Sequence, residues 1–191
     1  MITENALLNI VQVWIEEALD AKARQFGGDR EKNPFIGVKV IRTHQDAPEP
    51  MQARIDGIPT DGTSLFVTID LTGDEQLPGW PLYCETGGDD TIERTRTLLR
   101  EATFSISAYR HNGVDAARHL LSNIRSRQVQ RDLFMPHNVA FKSVSGIAVI
   151  NEIVLEQWER RAQFTLVLSY ADTVTEFDEV IGLDSLPHAC G

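Results

Sequence analysis

Apolar residues along this chain follow two different periods. Over residues 6–26, Leu7, Ile10, Val11, Trp14, Ala18 and Leu19 recur every three or four positions, with Glu16, Glu17 and Asp20 opposite them. That stripe predicts an amphipathic helix. Thr3 stands where it can cap the first turn, and Gly27-Gly28 where the helix must stop. Residues 35–42 (FIGVKVIR) alternate between Pro34 and the turn-rich DAPEP, and residues 65–71 (LFVTIDL) put Leu65, Val67, Ile69 and Leu71 on one side. Both read as strands. Residues 97–110 predict a third strand, at least from Ala102, with Phe104, Ile106 and Ala108 inward. Asn112-Gly113 then opens a second helix, to about Arg127, whose apolar stripe is Ala117, Leu120, Leu121 and Ile124. VAFKSV (139–144) predicts a further strand, while the apolar run of SGIAVINEIVLEQ (145–157) is too short to separate a strand from a turn plus a strand.

The strongest alternation lies in residues 157–170. Trp158, Arg160, Ala162, Phe164, Leu166, Leu168 and Tyr170 fall on one face, and Gln157, Glu159, Arg161, Gln163, Thr165, Val167 and Ser169 on the other. A strand of that length at ~3.3 Å per residue spans roughly 45 Å. A folded chain of this size is only about 40 Å across. The charged start, WERR, is therefore expected to reach the edge of the domain or pass it. TVTEFDEVIGL (173–183) alternates too and is expected to pair back as a hairpin.

Between these elements, residues 43–64 are rich in Gly and Pro, and residues 72–92 contain GDEQ, LPGWP and ETGGDD. Both segments read as long loops, and the second is a candidate contact element. The order of elements predicts a single α+β domain over residues 1–191. Its expected form is a mainly antiparallel sheet with two principal helices packed on one face, and a long strand with a projecting hairpin.

Composition narrows the function. The chain has 191 residues, 42% hydrophobic and 24% charged, as a folded domain does, with a net charge of −10. Sequence-independent binding to a phosphate backbone needs surplus cations, so nucleic acid is disfavoured as a specific partner. The N-terminus carries Glu4 before its apolar residues and has no basic lead, so it is not expected to be a signal peptide. No apolar run is long enough to predict a membrane span. Cys84 and Cys190 lack paired spacing and read as free thiols of a reducing compartment.

Little points to catalysis. His44, His111, His119, His137 and His188 are scattered, and HExxH, CxxC, phosphate-loop, GxGxxG and GxSxG patterns are all missing from the sequence. Carboxylates such as Asp70 and Asp74 are what any acidic chain supplies. No catalytic, cofactor-binding or metal-binding residue is assigned, no cofactor is expected, and the chain is not expected to be an enzyme.

Charge is instead distributed unevenly. Residues 112–131 carry Arg118, Arg125, Arg127 and Arg131 against Asp115 alone. Residues 172–184 carry Asp172, Glu176, Asp178, Glu179 and Asp184 with no basic residue. Arg118 and Arg125 are seven apart and would share a helix face. Ordinary surface charge would explain this. So would a head-to-tail contact between copies, the arrangement that closes into rings. Arg118, Arg125, Arg127, Asp172, Glu176, Asp178 and Glu179 are therefore candidate interface residues. Trp158, Arg160 and Arg161 join them, because Trp and Arg most often anchor interfaces.

The run ATFSISAYRHNGVDAARHLLSNIRS, followed by INEIVLEQWERRAQFTLVLSYADTV, resembles the neck or tail-terminator proteins of tailed bacteriophages. Phe104, Ser105, Ile106 and Tyr109 match in the first strand, and Ala116, Ala117, Leu120 and Leu121 in the helix. Trp158, Glu159, Arg161, Ala162, Phe164, Leu166 and Leu168 match in the long strand. The resemblance covers residues 95–181 well and the N-terminal helix with strand 35–42 loosely. Residues 47–64 and 72–92 are longer than the family pattern, so contacts made by those loops do not carry over.

The resemblance implies a structural virion protein of the tail or neck, assembled in the host cytoplasm. Its subunits form a ring, commonly a homohexamer, that caps the tail tube, ends its polymerisation and joins tail to head. The implied partners are further copies of the chain, the tail tube protein, head-side connector or neck proteins, and the sheath where a tail has one. DNA passes through the lumen without specific binding, and no membrane or cofactor is involved. The alternatives are a head-completion (stopper) or other neck adaptor protein, or a cytosolic binding domain.

Overall fold

Two long antiparallel strands, β4 (Thr91–Tyr109) and β7 (Gln157–Glu179), carry every other element. The computed structural model describes residues 2–26, 33–43, 64–79, 81–87, 91–110, 112–154 and 157–179. All 19 residues of β4 pair with β7, from Thr91 opposite Glu179 to Tyr109 opposite Arg161, in one unshifted register. Beyond β4 lies β2 (Phe66–Gln76) and, further along the same side, β3 (Leu82–Gly87), with β1 (Lys39–Arg42) parallel to β2 at the rim. Beyond β7 lie β5 (Val139–Val144) and β6 (Ala148–Val154), one after the other along it. The sheet is mixed only at β1. The α+β expectation is met.

One face of this sheet builds the core. Val67, Ile69, Ala102, Phe104, Ile106, Ala162, Phe164 and Leu166 are each no more than 1% exposed. The neighbours Phe104–Leu166 and Ile106–Phe164 sit side by side across the central pair. α1 (Glu4–Phe26) covers the β1–β2 side and α2 (Gly113–Asn123) covers β4 and β7. The 3.6-residue stripe foreseen in each helix is the buried one: Leu7, Val11, Trp14 and Ala18 in α1, Ala116, Ala117 and Leu120 in α2. The Thr3 hydroxyl accepts the Ala6 amide at 3.2 Å, as an N-terminal cap does. Between the helices, the Trp14 indole donates to Asn123 at 2.9 Å, and His119 Nε2 meets the Ala18 carbonyl at 2.9 Å. Burial holds the His119 imidazole below its ordinary pKa, and that carbonyl contact works against the shift. α2 stops at Asn123, short of the expected Arg127, and a π-helical turn (Val129–Phe134) and a 3-10 turn (Met135–His137) lead to β5.

Two expectations change. Residues 72–92 are not a loop in the part described: β2 runs to Gln76, β3 spans Leu82–Gly87 and β4 starts at Thr91. The LPGWP turn signal falls in the break between β2 and β3, and ETGGDD covers the end of β3, after which β4 starts at Thr91. The projecting hairpin exists, but β3 and β4 make it. The stretch from Thr173, expected to pair back, instead carries β7 straight on beside β4 to Glu179. Nothing from Ser169 to Glu179 is Gly, Pro or Asn, so no residue there supplies the positive φ or the fixed proline φ of the tight hairpin turns. Residues 44–63 of the expected 43–64 loop, and residues 180–183, lie outside the described residues. In residues 35–42 only Lys39–Arg42 are strand, after a turn in which Gly37 takes φ 68°.

Past Ala102 and Leu168 the sheet leaves its helices and continues as a three-stranded arm of β3, β4 and β7. Nine residues of β4 (91–99) make it about 30 Å long. Its root is tied by polar groups. The Tyr170 hydroxyl donates to Asp74 Oδ1 at 2.8 Å, and Arg100 Nε lies 3.2 Å from the same oxygen and 3.0 Å from the hydroxyl. Lys142 closes on Glu101 beside them. Further out, Thr97–Thr173 and Thr95–Thr175 pair hydroxyls across the strands at 3.2 and 3.5 Å.

Two predictions follow from this packing. A Cβ at Gly113 would stand 2.4 Å from the Ala108 carbonyl oxygen, since the chain turns from β4 into α2 with the helix start pressed on the strand. Gly113→Ala should cost about 1–3 kcal/mol, read as a lower urea midpoint, as overpacked sites do. The Tyr170 phenol is pushed up to about 12, chiefly by burial and then by its bond to Asp74. A folded pKa raised above the ordinary 10.0 means this contribution is whole below pH 10 and fades as the pH climbs towards about 12. Tyr170→Phe should flatten that alkaline loss in denaturation curves; an unchanged slope would contradict the assignment.

Candidate functional site

The candidate interface residues fall on three surfaces, which the sheet keeps apart. The first is basic and helical. Arg118 lies on the outer side of α2, 71% exposed, with Asp115 one turn earlier at 3.6 Å. Arg125 and Arg127 are exposed but lie beyond Asn123, the last residue of α2, so the shared helix face expected for Arg118 and Arg125 is not formed. Arg131 binds its neighbour Asp132 through Nε at 2.6 Å, which removes much of its charge from the patch.

The second surface is the start of β7. β4 ends opposite Arg161, so Gln157–Arg160 run past it and take β6 as their strand partner, Trp158 standing opposite Ile153, while the Arg160 carbonyl still accepts the Arg110 amide at 2.7 Å. Arg160 is exposed although its position belongs to the core-facing series, which marks Ala162 as the last covered residue at this end. Arg161 is half-buried and donates to the Tyr109 hydroxyl at 3.3 Å. Tyr109 stacks on Phe66 with ring centres 4.5 Å apart, and the Arg110 guanidinium lies 5.1 Å from the Phe66 ring centre. The expected overrun of the charged segment is present. Arg161, however, belongs to a stack within the chain, and the side chain of Trp158 is not among those described.

The third surface is the arm. Asp172 is buried at its root, Glu176 is exposed, and Asp178 and Glu179 occupy the last strand positions, opposite Ile92 and Thr91. Glu176 stands in register with Arg94, so part of the acidic run is answered on its own sheet. The excess remains: across residues 82–87, 91–99 and 171–179 six carboxylates face two arginines. Leu82, Tyr83 and Leu99 are 68%, 67% and 53% exposed here. These apolar positions were missed because turn residues on both sides of β3 masked it. The signal that could have found the arm is TIERTRT (91–97), in which four of seven residues are β-branched and Arg94 to Thr97 alternate. Asp74, read as a solvated carboxylate, is in fact the acceptor that ties the root.

Chemistry finds little to work with. Among the described residues no group of three His, Cys, Asp or Glu side chains could hold a metal ion, and no helix is long and apolar enough to cross a membrane. A groove between α1 and the turns after α2, lined in part by Trp14, Glu17, Arg24 and Leu133, opens widely to solvent. The surfaces present extended strands and separated charge, which suits protein contacts.

No curated protein matches the chain. Among solved structures it is similar to the type 4 fimbrial biogenesis protein PilO from Pseudomonas aeruginosa, at 10% identity and a TM-score of 0.19. That match covers 56% of this chain and 58% of the PilO chain, so it spans little more than half of that protein, and the likeness carries no argument. A family model described as phage neck terminator protein matches residues 5–187, which takes in α1 from its second residue, α2 and the seven strands described. The chain belongs to the phage neck terminator protein family.

Proposed function

We propose that the protein is a ring-forming tail terminator, a structural part of the neck that caps the tail tube, ends its polymerisation and joins the tail to the head-side connector. The match to the neck terminator family over residues 5–187 carries this reading. Two features of the fold support it. The separated acidic and basic surfaces suit a heterologous contact between copies, which closes into a ring when the rotation allows. The sheet face turned away from α1 and α2 suits a passage for DNA. Its central rows carry Thr68, Thr103, Ser105, Gln163, Thr165 and Ser169, which are neutral, while the cations at its margins, Arg161 and Lys142, are engaged by the Tyr109 hydroxyl and by Glu101.

On this reading the ring is a hexamer and sits in the virion neck after assembly in the host cytoplasm. Its partners are the tube protein below, connector proteins above and the sheath where one exists. Association through complementary charge sets register and partner choice more than raw affinity. Arg118, Arg125 and Arg127 on one side, and Glu176, Asp178 and Glu179 on the other, are the residues assigned to contacts between copies, with Trp158 and Arg160 at the start of β7 assigned to a further one.

Two measurements test the reading. Negative-stain imaging of purified protein mixed with isolated tail tubes should show rings seated on one tube end, and tubes so capped should stop growing. Protein found only on the portal side, with tube growth unaffected, would make it a stopper instead. Separately, R118E/R125E should leave the fold intact, since both side chains are exposed. It should nevertheless reduce the assembled fraction in mass photometry at ~0.15 M salt. An unchanged size distribution would remove these arginines from the contact.

A further inference from the structure

Resting on the ring reading, we propose that the three-stranded arm is the element by which one copy grips the next. In this contact the acidic outer strand of the arm, residues 171–179 of β7, lies against the arginine surface at and after α2 of a second copy.

The arm is incomplete within its own chain. β5 leaves β7 at Tyr170, so from Ala171 onward β7 has β4 on one side and, among the described residues, no strand on the other. An edge about 30 Å long is a template for another chain unless something blunts it. ADTVTEFDE (171–179) has no Pro, Gly or Lys to do so; it has four carboxylates. They discourage indiscriminate pairing between arms and leave the edge open to a basic surface. Leu82, Tyr83 and Leu99 are exposed on the same arm, and among the described residues no helix packs over them. A ribbon of this kind gains little stability alone in water.

The second copy is the occupant that the charges select. The basic surface of Arg118, Arg125 and Arg127 is exposed in the same chain. The arm cannot bend back to reach it. The β4–β7 register runs unshifted from Thr91 to Tyr109, and the Asp74–Arg100–Tyr170 tie stiffens the root. Opposite charges that one chain carries but cannot join meet between chains. Because the arm of one copy meets the helix side of the next, the contact is head-to-tail, as ring closure requires.

The test uses the full-length chain and a charge swap. E176K/D178K should fold normally and raise the concentration needed for half-assembly by about tenfold or more. Combining it with R118E/R125E should restore assembly to near the wild-type level. A second variant guards against loss of fold. Leu77 N lies 2.9 Å from Leu99 O, so residues 78–98 can be replaced by an Asn-Gly turn that closes β2 directly onto β4, and the chain ended at Ala171, opposite Leu99, so that the acidic strand goes too. This armless chain keeps every core residue and should stay monomeric, with a circular dichroism spectrum and cooperative melting transition like the wild type. Rings formed by the armless chain, or by E176K/D178K at wild-type concentration, would overturn the arm contact while leaving the ring reading in place. Loss of assembly in E176K/D178K that the swap fails to restore would also overturn the contact. Wild-type protein that never assembles, alone or on tubes, would remove both.

Discussion

The unbroken pairing of β4 with β7 is the constraint on which the rest of the molecule depends. Nineteen residues of β4 run beside β7 without a shift of register. The irregularities are confined to the flanking strands, at Leu71/Gly73 in β2 and Phe141/Ser143 in β5. In a strand, side chains alternate strictly, so a slip of β7 by one residue would turn Phe164 and Leu166 out to water together, and a slip of β4 would do the same to Phe104 and Ile106. Core burial therefore fixes the register in the middle. The ladder carries that register outward in both directions, to Arg161 at one end and to the arm at the other. The arm inherits its straightness from a core it does not itself touch.

That inheritance explains where residue reading succeeded. Wherever one face is buried, the sequence carries a periodic record of it. The stripe in α1, the inward row Phe104, Ile106, Ala108 and the alternation from Ala162 to Tyr170 were all legible for that reason. Where neither face is buried the record weakens. β3 has only six residues between turn signals, and its exposed Leu82 and Tyr83 do not alternate with anything covered. Its pairing depends on β4 alone, a partner about ten residues away whose own start was also unclear. The end of α2 failed differently. Ile124 is fully buried and continues the helical stripe, but the backbone leaves the α-helix there and the Gln130 amide comes in to donate to the Ile124 carbonyl at 2.6 Å. Such a side-chain bond cannot be read from periodicity.

The candidate surfaces divide in the same way. Residue type and local charge singled out the arginines around α2 and the carboxylates of residues 172–179, and the fold places both on exposed elements. It also shows what a count of charges along the chain cannot: Glu176 stands in register with Arg94 across the sheet. A neighbour in space thus reduces a patch that neighbours in sequence seemed to enlarge, whereas the pairing of Arg131 with Asp132, the next residue, was open to a longer count. The Trp-Glu-Arg-Arg segment was legible as an overrun, since its length exceeded the domain. The role of Arg161 in the Tyr109–Phe66 stack was not, because it depends on two strands brought together only by folding.

For a subunit with a net charge of −10, assembly has a general cost: copies repel one another before they touch. A contact that pairs like surfaces across a two-fold axis would bring acidic arms together and add to that repulsion. A head-to-tail contact instead lets each acidic arm meet a basic helix surface, and every copy in the ring repeats the same compensation. The remaining excess of negative charge is then left on surfaces that take no part in the contact. A sheet face whose centre is serine, threonine and glutamine, and whose Arg161 and Lys142 are engaged by Tyr109 and Glu101, gives a nucleic acid backbone little to hold. Strong charge-selected contacts at the rim and a non-adhesive face elsewhere are what the proposed terminator ring requires of one chain, and the long central ribbon lets a single small core support both.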